Sequence, residues 1–130
     1  MILLALAAGG VLGTLARYGL AGWVQGWAGT GFPWGTVVVN VLGSFLLGFA
    51  LRGSEAAALS AETRALLTTG FCGAFTTFST LSWETVALLQ AGAWARAGAY
   101  ALGSLGLGLA AVWAGLSLAP LVLGSHAAAR

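Results

Sequence analysis

The side chains able to do chemistry crowd into one stretch. Residues 70–84 read Gly-Phe-Cys-Gly-Ala-Phe-Thr-Thr-Phe-Ser-Thr-Leu-Ser-Trp-Glu, two glycines and a run of hydroxyls amid otherwise apolar sequence. One reading is helix packing, in which small residues and hydroxyls join neighbouring spans. The other is a broken helix, with Gly73 and the Thr76-Thr77 pair opening the backbone. At membrane depth such backbone survives only inside protein or beside a water-filled cavity. Its freed carbonyl oxygens are hard ligands suited to a hard cation, and broken spans gather such groups around ions. Because such ligands are backbone atoms, Thr76→Ser is expected to be tolerated.

Polar residues are sparse elsewhere, so each needs a reason. Asn40 lies in an apolar run with Thr36 and Ser44 four residues to either side, on one helical face. A buried amide either bonds a neighbouring helix or lines a path, and its hydroxyl neighbours favour a polar track. Tyr100 and Ser104, with Gly108, form a similar stripe. Phe71, Phe75 and Phe78 recur at helical spacing. Such a stripe is ordinarily packing, but aromatic edges carry partial positive charge and can face an anion. Glu84 is the one acid inside a candidate span, read as a carboxylate satisfied by hydroxyls near the interface, with a proton relay as the other reading. Arg17 can bias a vestibule towards anions. Cys72 has no cysteine to pair with, and His126 is assigned no role. There is no HExxH, GxSxG, P-loop or Cys/His cluster, so hydrolysis, phosphoryl transfer and metal-centred redox chemistry lack their reagents.

The elements that must position these residues follow from composition. The chain has 130 residues, 59% hydrophobic and 6% charged, with a mean hydropathy of +0.95. A soluble domain carries about 25% charged residues, so the bilayer must be the solvent. A helical crossing takes roughly 20 residues, and long unbroken apolar runs exclude alternating barrel strands. We therefore expect one all-α membrane domain over residues 1–130, with spans at about 2–24, 34–51, 65–90 and 94–118. Gly9, Gly13 and Arg17 share a face suited to close packing. Residues 25–33 form a turn, with Trp27 and Trp34 in the interfacial belt. Residues 52–64 form the clearly aqueous loop, and residues 120–130 form a tail that leaves the membrane. A net charge of +2 is too small for nucleic acid to be a partner. Arg52, Arg64 and Arg130 on one side against Arg96, with Arg17 near the other, give a weak topological bias, which admits an antiparallel dimer. The N-terminus lacks the basic region and cleavage site of a signal peptide and reads as the start of the first span.

Three blocks in order resemble the Fluc/CrcB family of fluoride channels: Gly9 to Tyr18; Pro33-Trp34-Gly35-Thr36 with Val39 to Phe45; and Gly70 to Gly73 followed by Thr76 to Thr80 and Glu84. The resemblance implies an antiparallel, dual-topology dimer of four-span subunits in the plasma (inner) membrane, with the third helix broken. It implies passive export of fluoride through two pores at the dimer interface and no enzymatic activity. It also implies a structural sodium ion at the dimer centre, held by backbone oxygens at the positions matching Gly73 and Thr76. Asn40, Phe78, Thr77, Thr80, Tyr100 and Ser104 match the family's ion pathway. The family usually has a second phenylalanine where this chain has Leu81, which leaves open a homodimer of reduced conduction or a subunit that needs an unlike partner. A small multidrug-type exporter would need a carboxylate in the first span, and none is present there.

Overall fold

A computed structural model describes residues 1–127, all helices and short joins, with no strand among them. Arg130 and the side chain of His126 lie outside the described residues. Helix α1 (Ile2–Ala28) ends where Gly29, at φ 79°, returns its N–H to the Gln25 carbonyl. The join to α2 (Trp34–Ala56) is tied by Gln25. The Gln25 amide donates to the carbonyls of Gly29 and Phe32 and accepts the Gly35 N–H at 3.1 Å. Helix α3 (Ala61–Ala65) is capped by Ser60, whose Oγ accepts the Thr63 N–H at 3.2 Å. It continues as a π-helical segment over Leu66–Cys72 and one α-helical turn, α4 (Gly73–Phe75). After Thr76 and Thr77 the chain resumes as α5 (Phe78–Gln90). Gly92, at φ 72°, turns it into α6 (Trp94–Ala127).

Close backbone contacts set the helix directions. Along α1, Gly9, Gly13 and Arg17 meet Leu66, Phe71 and Ala74 in ascending order, so α1 and the α3–α4 segment run parallel. A β-carbon at Gly9 would overlap the Leu66 carbonyl oxygen, and one at Gly13 that of Phe71, which is the close packing their spacing suggests. Along α2, Ser44, Gly48 and Gly53 meet Gly108, Val112 and Leu123, again in ascending order, so α2 runs parallel to α6. Gly48 and Gly115 carry that second contact, each against a carbonyl of the facing helix.

Among the described residues three helices, α1, α2 and α6, are long and apolar enough to cross a membrane. The stretch expected as the third span, residues 65–90, is divided by a break at Thr76 and Thr77. Helix α6 runs on through Pro120 to Ala127, past the end of the span expected at about 118. Proline removes one hydrogen bond, but apolar helices in membrane proteins accommodate it where neighbouring groups satisfy the freed carbonyl. One expectation needs correcting: Phe71, Phe75 and Phe78 do not share a face. Phe71 and Phe75 stack at 5.5 Å and Phe75 is buried, whereas Phe78 is 82% exposed. Two extended residues separate it from the helical register that the other two share.

Candidate functional site: a broken helix and its polar groove

The break occupies Thr76 (φ −86°, ψ 161°) and Thr77 (φ −149°, ψ 111°), both extended, between the C-terminus of α4 and the N-terminus of α5. Gly73, expected to open the backbone, keeps helical dihedrals (φ −62°, ψ −36°), so the opening begins three residues later. Its carbonyl is nonetheless affected, because a helix's last carbonyls lose their partners four residues ahead. The Thr77 N–H, which would have bonded Gly73, goes instead to Asn40 Oδ1 at 2.7 Å. The Thr80 N–H, which would have bonded Thr76, goes to Thr77 Oγ1 at 3.2 Å. Gly73 is exposed, and a β-carbon there would meet the Thr68 carbonyl oxygen at 3.9 Å, an ordinary contact.

Side chains from two other helices hold the break. Asn40 grips Thr77 twice, accepting its N–H and donating Nδ2–H to its carbonyl at 3.1 Å. The Arg17 Nε–H donates to the Ala74 carbonyl at 3.1 Å. Within the break, Thr76 Oγ1 donates back to Cys72 O at 3.0 Å, while Thr77 caps α5 and donates its own hydroxyl to Thr80 Oγ1 at 2.9 Å. Oppositely polarised helix ends thus face each other, carbonyls of α4 and N–H groups of α5, suited respectively to a cation and an anion.

Beside the break a groove of about 460 Å³ is lined by Arg17 and Tyr18 of α1, Thr36 and Val39 of α2, and Thr77 and Thr80. It combines the Arg17 guanidinium with the hydroxyls of Thr14, Tyr18, Thr36, Thr77 and Thr80 in an otherwise apolar wall. Tyr100 is fully buried, and its phenol donates to Glu84 Oε2, so the carboxylate is satisfied by a hydroxyl as expected. The Phe32 ring packs edge-on against Tyr100 at 5.5 Å. One turn along α6, Ser104 is buried and its Oγ has no hydrogen-bond partner among the described residues. Leu81 is partly buried on α5, one turn from the exposed Phe78.

The structure therefore brings Arg17, Asn40, Thr77 and Thr80 to one place, while Tyr100 and Ser104 are buried one turn apart on α6. Phe78 stands apart, on the surface. Sequence reasoning missed the Asn40–Thr77 pairing in its detail, the loop-tying role of Gln25 and the π segment. An amide directly before a chain turn is a signal that could have found Gln25. The π segment has no comparable signal.

The family model described as CrcB-like protein, Camphor Resistance (CrcB), matches residues 4–116. The fluoride-specific ion channel FluC of one strain of Thermus thermophilus is 54% identical over 121 residues, covering 93% of this chain and 95% of the relative. Its namesake in a second strain of the same species is likewise 54% identical, covering 93% and 97%. The FluC of a Roseiflexus species is 45% identical over 120 residues, covering 92% and 97%. Matched across the break, the groove and nearly its whole length, the chain belongs to the CrcB-like family.

Proposed function

We propose that this chain is a fluoride-selective passive channel, not an enzyme, that lets fluoride leave the cell down its gradient. The observation that carries the reading is the pinned break at Thr76-Thr77 beside the donor-lined groove, in a chain 54% identical to proteins named as fluoride-specific channels. Fluoride is small, strongly hydrated and a strong hydrogen-bond acceptor. A path for it must replace water with hydroxyl, amide and guanidinium donors; Arg17, Thr36 and Thr80 line the groove and Ser104 keeps an unpartnered hydroxyl, while the Thr77 and Tyr100 hydroxyls donate to Thr80 and Glu84. Asn40 has one amide hydrogen left after gripping Thr77.

The working unit in this reading is an antiparallel, dual-topology homodimer in the plasma membrane. Parallel running of α1 with α3–α4 and of α2 with α6 supports four crossings per subunit, the third made by the broken segment. Exposure of Phe78 and Gly73 on the protomer supports their meeting a second copy. A sodium ion fits the donor set at that centre. Gly73 and Thr76 offer main-chain oxygens released from the helical ladder, the hard ligands such a cation takes. When bound, the ion offsets part of the cost of bringing an anion into low dielectric. Phe78 turns an aromatic edge towards the passing anion, a role that Leu81 cannot share.

Expression in a bacterium lacking its own fluoride exporter tests the reading. Growth in fluoride should return with the wild-type chain and not with Phe78→Leu. Rescue only on co-expression of a phenylalanine-bearing relative would make this chain half of a heterodimer, and no rescue in either case would reject the channel.

A further inference from the structure

Asn40 does not hold the break alone. Three residues on, along the same face of α2, a β-carbon at Gly43 would overlap Thr76 Cγ2 and lie 2.9 Å from Phe75 Cδ1. Gly43 itself is buried, so this hollow is occupied by the threonine methyl and the edge of the phenylalanine ring. The same threonine is fixed on its other branch, where Oγ1 donates to Cys72 O. Thr76 is thus held by both branches of its side chain, and Thr77 by both polar groups of its peptide.

We propose that Gly43 is a positioning residue for the ion pathway. Its missing side chain is the socket that seats the Thr76 methyl and so fixes the direction of the Thr76 carbonyl and the start of α5. Gly43 and Asn40 form a two-point clamp from one helix face, one by shape and one by hydrogen bonds. The proposal rests on the channel reading for its consequence in flux, but the contact itself can be tested apart from it. It also refines the expected tolerance of Thr76→Ser. That change keeps the Oγ1 bond and the carbonyl but empties the socket, so a small loss of flux follows.

The test is a double-mutant cycle on the full-length protein, reading fluoride efflux from liposomes and melting temperature in detergent. Gly43→Ala should cut efflux at least about tenfold and lower the melting temperature, because the new methyl displaces Thr76. Adding Thr76→Ser to Gly43→Ala removes the obstructing methyl and should recover part of both losses, the contact with the Phe75 ring edge being the one that remains. Gly48→Ala, whose β-carbon meets the Val112 main chain instead, should not be rescued by Thr76→Ser. A Gly43→Ala variant with wild-type efflux would overturn the proposal, and so would a double variant no better than Gly43→Ala. A wild-type chain without fluoride flux would reject the channel reading, while the melting temperatures would still report on the socket.

Discussion

Replacing Asn40 separates the two tasks the structure gives it. In Asn40→Leu both hydrogen bonds to Thr77 vanish, at 2.7 Å and 3.1 Å, while side-chain volume is nearly kept. Each backbone group left without a partner costs about 1–3 kcal/mol, and water from the adjoining groove recovers part of that, so a loss of about 3 kcal/mol is expected. Asn40→Asp is nearly isosteric and keeps the acceptor for the Thr77 N–H, but it turns the second bond into a contact between two oxygens. It also places a carboxylate beside the route of an anion. At about 4 Å and an effective dielectric constant near 20, the repulsion is about 4 kcal/mol, or about a thousandfold in occupancy. Melting in detergent and fluoride efflux from liposomes therefore rank the variants differently. Leucine is the more damaging to stability, and aspartate nearly abolishes flux in a folded protein. Asn40→Asp conducting within about threefold of wild type would refute the electrostatic reasoning. Unchanged stability in Asn40→Leu would show that the Thr77 bonds do not hold the break.

At the aromatic position, Phe78→Leu should nearly abolish fluoride efflux and Leu81→Phe should raise it; Phe71 and Phe75 cannot compensate, because they stack on the far side of the break. Gly115→Ala places a methyl against the Phe45 carbonyl and should destabilise the α2–α6 pair by about 1–3 kcal/mol, read as a lower melting temperature. Arg17→Met loses a charge-assisted bond to Ala74 and should cost about 2 kcal/mol in stability. Its loss of fluoride efflux should be greatest at low ionic strength, where the guanidinium is least screened.

Much of this arrangement was legible because few polar residues occur in the spans, and each must be satisfied. Asn40, Arg17 and the hydroxyls after Gly73 stood out against an apolar background, and Asn40, Arg17, Thr76, Thr77 and Thr80 all lie at the break or line its groove. Gly9 and Gly13 were legible for the same reason, since glycine at four-residue spacing on an apolar helix has little use besides close approach. What escaped was phase. The phenylalanine stripe assumed continuous helical rotation, and the π segment and two extended threonines removed that assumption. Gly43 gave no signal of its own, because its meaning depends on a methyl group thirty-three positions away, on Thr76.

The most direct measurement is ion release from liposomes holding only this purified chain, loaded in turn with fluoride and with chloride. Rapid fluoride release with chloride retained, from protein that runs as a dimer, is the expected result. A folded dimer that releases neither ion, or both alike, would contradict the channel reading.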